Sequence, residues 1–319
     1  MSGISFGPAA RTLRAAALVL GALLWQQQAL AEVRTLDTKY GAVAIDGEVE
    51  RVVTLYEGAL DTAHAVGLAP LGAIITRGGE GVASYMQQRV GDIAIVGGPR
   101  ETNLEAVIAL QPDLILAAST LTEEQYRLLS AVAPTLVPDV EMYQPDSWKR
   151  EARFFARALN REAELEQVIA RVDERATSLK ARFDALQPAE ARKTSLARWM
   201  PQGPLLMSPG LFSASLLQVV GFEVRDAGII KPGRPHSSPL SQENLALIDG
   251  DWLFLATLNS DGREALAAAE QSPAFSRLQV VRQQHVVPVD GQLWTSASGP
   301  LAADAILDDI EAVLASLEP

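Results

Sequence analysis

The sequence predicts an α/β protein with two lobes, each built on a largely parallel sheet and joined by one long α-helix. Three observations predict this fold. Short apolar runs alternate with helical patterns in both halves of the chain, a helix-strand unit occurs twice, and the longest helical pattern lies between the two copies. A chain of 319 residues, 48% of them hydrophobic, is long enough for two domains of roughly 100–200 residues each.

The repeated unit reads E-A-V-I-A-L-Q-P-D-L-I-L-A at Glu105–Ala117 and E-N-L-A-L-I-D-G-D-W-L-F-L-A at Glu243–Ala256. In each copy a Glu opens an apolar-periodic stretch, an Asp follows eight residues later beyond a Pro or Gly, and an apolar run comes next. Each copy therefore predicts a helix followed by a buried strand. Two similar lobes would carry Glu105 and Glu243 at equivalent places on their surfaces.

The first lobe is predicted to span residues 32–146. After a β-type opening, strands are expected at 51–55, 71–75, 93–96 and 135–137, besides the strand of the first unit, and helices at 58–66, 84–89 and 122–132. Strands that alternate with helices indicate a largely parallel sheet.

The longest helical pattern, residues 147–187, is predicted to connect the lobes. Apolar residues recur there at steps of three and four, Asp146 can cap the start, and Pro188 ends the pattern. A straight helix of this length would measure about 60 Å, and Asn160 is a candidate break within it. We expect this segment to act as a rigid spacer, because flexible linkers are rich in Gly, Ser or Pro.

The second lobe is predicted to span residues 188–319. Strands are expected at 194–199 and 286–289, besides the strand of the second unit, and helices at 213–220 and 301–317. The distances between corresponding features differ in the two halves, so the duplication is one of topology.

The N-terminus has the layout of a secretory signal peptide. Arg11 and Arg14 precede an apolar run at residues 15–25, and Ala29 and Ala31 supply the small residues of a cleavage site. Residues 1–31 are therefore predicted to be a cleaved signal peptide, which places the mature chain in the periplasm. The chain has no cysteine, which excludes a lipid-anchored export signal, disulfides and thiolate metal sites.

Composition and motifs exclude several classes of function. Removal of residues 1–31 makes the net charge of −12 two units more negative, and such an acidic chain is a poor candidate for binding nucleic acid or anionic membranes. Three scattered histidines argue against a zinc or manganese site. The sequence lacks G-x-S-x-G and H-E-x-x-H, so an enzyme is not expected and a secreted hydrolase is a distant alternative.

Three segments together carry a family resemblance. Residues Val96–Ala117 resemble the V-G-x-x-x-x-N-L-E-x-I-x-A-L-K-P-D-L-I segment of periplasmic binding proteins for ferric siderophores and cobalamin. Leu240–Leu245 resembles their V-S-x-E-x-L segment, and Leu293–Ala303 resembles the Trp-containing ligand loop before their last helix. The resemblance implies a class III periplasmic binding protein, with two Rossmann-like lobes joined by one long helix.

The same resemblance implies a function. Such a protein captures an iron(III)–siderophore complex between its lobes and delivers it, as a monomer without a cofactor, to an ABC transporter permease dimer in the inner membrane. One Glu per lobe, here Glu105 and Glu243, would pair with permease arginines; the alternative is that each merely favours a helix start. Haem and cobalamin are the alternative ligands.

Ligand-binding residues are expected in loops beyond the carboxyl ends of the strands. Iron–siderophore complexes are usually anionic, so they need arginine forks and flat aromatic faces rather than direct metal ligation by the protein. The candidates on this basis are Tyr56, Arg77, Arg100, Arg198, Trp199, Arg234, His236 and Trp294. The alternative for any one of the arginines is a solvated loop charge, and for the tryptophans it is packing.

Overall fold

The computed structural model of the protein describes residues 33–144 and 146–318. The predicted signal peptide lies outside these residues. Within the described part of the chain, no helix combines the length and the apolar character needed to cross a membrane.

The first half of the chain forms a parallel sheet flanked by helices. Its elements are β1 (Arg34–Thr38), β2 (Gly41–Ile45), β3 (Val52–Leu55), α1 (Glu57–Ala65), β4 (Gly72–Ala73), α2 (Ser84–Val90), β5 (Ala94–Ile95), β6 (Gly97–Gly98), β7 (Glu101–Thr102), α3 (Leu104–Ala109), β8 (Leu114–Ala117), α4 (Glu123–Ser130) and β9 (Thr135–Leu136). The strand order is β5-β4-β3-β8-β9, and every pair is parallel. β3 and β8 are buried along their whole length, as their unbroken apolar runs predict.

Two helices follow where the sequence predicts one. They are α5 (Ser147–Ala158) and α6 (Glu162–Leu186), and a 3₁₀ turn at Ala189–Ala191 comes next. Asn160 lies between them with a φ of 54°, in the left-handed region, where asparagine is tolerated better than most residues. The break suggested by Asn160 is therefore present.

Ion pairs show that α6 folds back along α5. Lys149 bonds to Asp173 at 2.7 Å, and Arg153 bonds to Glu166 at 2.7 Å. The pair nearer the break, Arg153 and Glu166, is closer in sequence than the pair Lys149 and Asp173, as expected for two antiparallel helices. The connecting segment is thus a helical hairpin whose longer arm, the 25-residue α6, measures about 37 Å.

The second half of the chain repeats the α/β arrangement. Its elements are β10 (Lys193–Met200), β11 (Gly203–Leu206), α7 (Phe212–Val220), β12 (Glu223–Val224), a 3₁₀ helix (Gln242–Ile248), β13 (Trp252–Thr257), α8 (Ser260–Glu270), α9 (Pro273–Ser276), α10 (Gln279–Arg282), β14 (Val286–Asp290), α11 (Gly291–Thr295) and α12 (Pro300–Ala315). The strand order is β11-β10-β13-β14, with β12 also paired to β10. Only the β10–β11 pair is antiparallel.

The repeated unit has the same structural role in both sheets. Asp113 Oδ2 accepts from the backbone nitrogens of Glu50 and Arg51, both at 2.9 Å, where β3 begins. Asp251 Oδ2 accepts from the backbone nitrogen of Lys193, also at 2.9 Å, where β10 begins. These hydrogen bonds connect the start of β8 to the start of β3 in the first sheet, and the start of β13 to the start of β10 in the second.

The second copy differs from the prediction in its helix. Its residues form a 3₁₀ helix, whereas the first copy forms the α-helix α3. Asn103 caps α3, because its side chain accepts from the backbone nitrogen of Ala106 at 3.0 Å, while Ser241 makes no such cap bond. The capping bond stabilises the first turn of α3, and the second copy lacks this bond.

A buried carboxylate on α1 joins the two halves of the chain. Asp61 accepts from the backbone nitrogens of Leu301 and Ala302, at 2.9 and 2.8 Å, and from the hydroxyl of Tyr85 at 2.9 Å. Burial raises the pKa of Asp61 to about 7, although these three donors act in the opposite direction. Asp61 thus caps the last helix, α12, from the other half of the molecule.

We expect the helix break to require a residue that accepts positive φ. Asn160→Ala should lower the free energy of unfolding by about 1 kcal/mol, because a Cβ is disfavoured in the left-handed region. Asn160→Gly, the matched control, should be as stable as the wild type, since glycine has no Cβ. Urea denaturation measures both. Equal stability of the Ala and Gly variants would show that the break does not depend on this conformation.

Candidate functional site

A cavity of about 220 Å³ lies between the two halves of the chain. Tyr56 and Glu57 enter it directly after β3, and Arg77 enters from the loop after β4. Arg198 reaches it from β10, and His236 from the loop before the second 3₁₀ helix. Because the parallel strands of each sheet end on the same side, their loops converge here.

Four of the predicted site residues line this cavity: Tyr56, Arg77, Arg198 and His236. Tyr56 and Arg77 follow strands β3 and β4, and Arg198 lies near the end of β10. His236 pairs with Met207 in an isolated bridge. The Nδ1 atom of His236 lies 2.7 Å from the carbonyl oxygen of Ser237. Topology therefore brings together residues that stand far apart in the sequence.

Arg198 is a buried cation with an incomplete set of partners. Arg198 is 4% exposed, and its Nη1 donates to the hydroxyl of Thr295 at 3.2 Å. Its Nε has no hydrogen-bond partner among the described residues. Burial lowers the pKa of Arg198 to about 10, and the charge of Arg77 acts in the same direction. Two like charges at one cavity favour an anionic ligand.

Tyr56 and Glu151 form a buried polar pair on the cavity wall. The Tyr56 hydroxyl donates to Glu151 Oε2 at 3.1 Å, while Glu151 Oε1 is buried without a partner among the described residues. Burial raises the pKa of Glu151 to about 7. Burial also raises the pKa of Tyr56, and the charge of Glu151 adds to that rise. The tyrosine therefore stays protonated and acts as a donor.

Glu57 is the second carboxylate of the cavity. The Thr76 hydroxyl donates to Glu57 Oε1 at 3.4 Å. Burial raises the pKa of Glu57, and the charge of Arg77 opposes that rise. Glu57 thus lies in the field of one of the two cavity arginines.

Sequence reasoning missed Glu57, Tyr143 and Glu151, which all line the cavity. Glu151 carried a detectable signal, because it lies on the same helical face as the buried residues Trp148 and Phe155. A carboxylate on an apolar helix face is rare unless it has a specific role. Tyr143 has a φ of 59° in the loop before α5, and a sequence pattern does not reveal that conformation.

Both predicted tryptophans lie in the core of the second half. Trp199 packs edge-on against Phe275, with ring centroids 5.8 Å apart. Trp294 is 1% exposed, stacks on Phe254 at 5.0 Å, and donates from Nε1 to Asp309 Oδ2 at 2.7 Å. The structure does not place either indole on the cavity wall. The short helix α11 turns Trp294 inward, and the residues after it reach the cavity instead.

Arg100 and Arg234 are exposed and do not line the cavity. Arg100 borders a separate groove of about 960 Å³ on the first half of the chain, which also contacts Arg77 and Glu105. Arg77 therefore lies where the groove meets the cavity. In the residues described, no three His, Cys, Asp or Glu side chains are grouped closely enough to hold a metal ion.

The two repeated glutamates are exposed at the starts of their helices. Glu105 lies in the first turn of α3, and Glu243 lies in the first turn of the 3₁₀ helix. Within the described part of the chain, neither carboxylate makes a side-chain hydrogen bond or an ion pair.

Comparisons with known proteins agree with this architecture. The family model described as periplasmic binding protein matches residues 52–293. The achromobactin-binding periplasmic protein of Dickeya dadantii is 28% identical over 275 residues, which cover 83% of this chain and 86% of that protein. A probable siderophore-binding lipoprotein of Bacillus subtilis is also 28% identical over 275 residues, covering 84% of this chain and 83% of its own.

A solved structure shows the same fold. The crystal structure of Staphylococcus aureus SirA complexed with staphyloferrin B matches with a TM-score of 0.75 and 24% sequence identity, over 88% of this chain and 98% of that chain. The predicted fold class, two α/β lobes of the class III type, is confirmed.

We expect Glu151 to make the stability of the ligand-free protein depend on pH. The pKa of this acid is raised on folding, so its stabilising contribution is complete below pH 4.5 and is lost as pH rises through about 7. The glutamine of the Glu151→Gln variant does not titrate. The unfolding free energy of the variant relative to the wild type should therefore increase between pH 5 and pH 8, by roughly 2–3 kcal/mol at about 1.4 kcal/mol per pKa unit. Urea denaturation at pH 5, 6.5 and 8 measures the difference. A difference that is constant across this range would show that Glu151 is ionised throughout.

Proposed function

The chain belongs to the periplasmic binding protein family, and we propose that it captures an iron(III)–siderophore complex in the cavity between its lobes and delivers it to an ABC importer. The observation that carries the proposal is the buried, incompletely bonded guanidinium of Arg198 in a cavity that Arg77 also lines. A buried cation of this kind requires an anionic partner, and iron–siderophore complexes are usually anions.

The names of the relatives support the same ligand class. One relative is described as binding achromobactin, another as a probable siderophore-binding lipoprotein, and a third, from Bacillus subtilis, as binding Fe(3+)-citrate. A shorter match, over 27% of this chain, is to a cobalamin-binding protein of Halobacterium salinarum. Relatives that match along most of the chain are thus described as binding achromobactin, a siderophore or Fe(3+)-citrate.

We propose that the protein works in the periplasm as a monomer. Residues 1–31 would be a cleaved signal peptide, residues 32–146 and 188–319 the two lobes, and residues 147–187 the connecting segment. The protein would act by binding rather than by catalysis. The helical hairpin of α5 and α6 supports the division into two lobes, because α5 contacts α1 of the first half and α6 contacts α7 and α12 of the second half.

Glu105 and Glu243 are the proposed contacts to the permease dimer. Both are exposed on the repeated unit, one in each half, and among the residues that the structure describes neither carboxylate takes part in an ion pair. A permease with twofold symmetry presents the same surface twice. Two equivalent carboxylates can therefore meet one arginine of each subunit.

We expect Arg198 to contribute strongly to affinity. Arg198→Met should weaken binding of an iron–siderophore complex by roughly 1.5–3 kcal/mol, the usual contribution of a charged hydrogen bond. Its unfolding free energy should be unchanged or higher, because a buried charge is removed. Arg100→Met, in the neighbouring groove, serves as the comparison and should have a smaller effect. Isothermal titration calorimetry with iron(III)-loaded carboxylate, hydroxamate and catecholate siderophores measures these affinities.

The same titrations test the proposed function itself. Binding of haem with a Soret band, or of cobalamin, in the absence of binding to any iron–siderophore complex would contradict it. Equal affinities of wild type and Arg198→Met would remove Arg198 from the site.

We expect the paired glutamates to be needed for delivery and not for capture. The double variant Glu105→Ala/Glu243→Ala should abolish uptake of the iron–siderophore complex in cells, while the purified protein binds that complex with unchanged affinity. Charge reversal of both residues to Lys should be more damaging than alanine, because like charges repel across an interface. Glu123→Ala/Glu264→Ala, a pair of carboxylates elsewhere on the two halves, is the control. Normal uptake by the Glu105/Glu243 variant would leave these residues as helix-start carboxylates.

A further inference from the structure

We propose that the cavity selects iron(III) chelates that carry a protonated amine, and that Glu151 is the acceptor for this group. The inference rests on the proposed function, because it assigns a ligand class to the same cavity. It comes from the arrangement of charges on the cavity wall.

The cavity charges are unevenly paired. Arg77 and Glu57 lie in each other's field, since the charge of Arg77 lowers the pKa of Glu57. Arg198 and Glu151 take part in no ion pair among the described residues. Arg198 Nε and Glu151 Oε1 are both buried, and neither atom has a hydrogen-bond partner there. Arg198 and Glu151 therefore line the same cavity, and each is available to pair with a group of the ligand.

Burial makes the open positions costly. Glu151 is 6% exposed and Arg198 is 4% exposed. An uncompensated charge at such a depth is unfavourable by several kcal/mol, whereas a paired and hydrogen-bonded charge is tolerated. A ligand that brings an anionic group to Arg198 and a cationic donor to Glu151 satisfies both at once.

The cationic donor is best supplied by an amine. Tyr56 already donates its hydroxyl to Glu151 Oε2, so one oxygen of the carboxylate is occupied by a neutral donor. A second neutral hydroxyl at Oε1 would add no positive charge to the field of Arg150, which lowers the pKa of Glu151 only in part against the effect of burial. A protonated amine supplies both a donor and the opposite charge. Burial raises the pKa of Glu151 to about 7, and a cation beside the carboxylate would favour its ionised form.

The position of Glu151 is fixed by its surroundings. It lies on α5 between the buried side chains of Trp148 and Phe155, and Phe155 also packs against Tyr56, with ring centroids 6.3 Å apart. Trp148 in turn packs against Phe212 of the second half, at 5.6 Å. A cavity-lining carboxylate held in this way from both sides has a fixed position, as a specificity-determining group requires.

The test compares matched pairs of iron(III) chelates. Each pair consists of a siderophore with one free primary amine and its N-acetylated form, one pair for each of the carboxylate, hydroxamate and catecholate classes, with iron(III) citrate as an amine-free chelate. Wild type, Glu151→Gln and Glu164→Gln are titrated by calorimetry at pH 8. Glu164 is exposed on α6, so its substitution makes the same change in net charge far from the cavity. Circular dichroism confirms that each variant is folded.

We expect the wild type and Glu164→Gln to prefer the amine form of the bound pair at least tenfold. Glu151→Gln should lose that preference, because glutamine can still accept from Tyr56 but carries no charge. The loss should fall on the amine form, whose affinity should decrease at least tenfold relative to that of the acetylated form.

The remaining outcomes decide against the inference in distinguishable ways. Equal affinity of the wild type for both members of a pair, or the same change for both members in Glu151→Gln, would overturn it. Binding of iron(III) citrate or acetylated chelates alone would overturn it and leave the proposed function intact. If no iron(III) chelate binds, the proposed function fails and the inference fails with it.

Discussion

The cavity depends on two buried charges that the protein does not pair with each other. Arg198 is held by β10, the most extensively paired strand of the second sheet, and Glu151 is held by α5. Keeping both charges buried in the absence of ligand costs stability. The rest of the molecule holds Arg198 and Glu151 in fixed positions. Part of the binding energy therefore comes from hydrogen bonds and ion pairs that a ligand makes to these two preorganised groups.

The frame is built from carboxylates as well as from apolar packing. Asp113 and Asp251 fasten neighbouring strands at their starts, so the opposite ends of those strands open toward the cavity in both sheets. Asp61 fastens the first half to the start of α12. The chain thus uses acidic residues in two ways: some are bonded to backbone nitrogens and stabilise the fold, while Glu151, which lines the cavity, keeps one buried oxygen without a hydrogen-bond partner among the described residues.

The sequence predicted the fold well and the site in part, for identifiable reasons. Parallel strands have local signatures and their carboxyl ends coincide within a sheet, so Tyr56 and Arg198 could each be assigned to the ligand-binding end of its own sheet without coordinates. That the two ends share one ligand was implied by the family resemblance. The orientation of a side chain has no such signature: Trp294 is close to the cavity in sequence, but α11 turns its ring into the core. The folding back at Asn160 depends on one positive φ within a continuous apolar periodicity. Glu151 was overlooked because that periodicity was interpreted as packing alone.

The most direct test of the account is the position of iron in the bound protein. Crystals grown with the iron(III) chelate that binds most tightly should show one anomalous iron peak in the cavity lined by Tyr56, Glu151 and Arg198, with the chelate supplying the iron ligands and Arg198 bonded to one of its anionic groups. Iron at the groove beside Arg100, or iron bound at the surface with an empty cavity, would contradict the account.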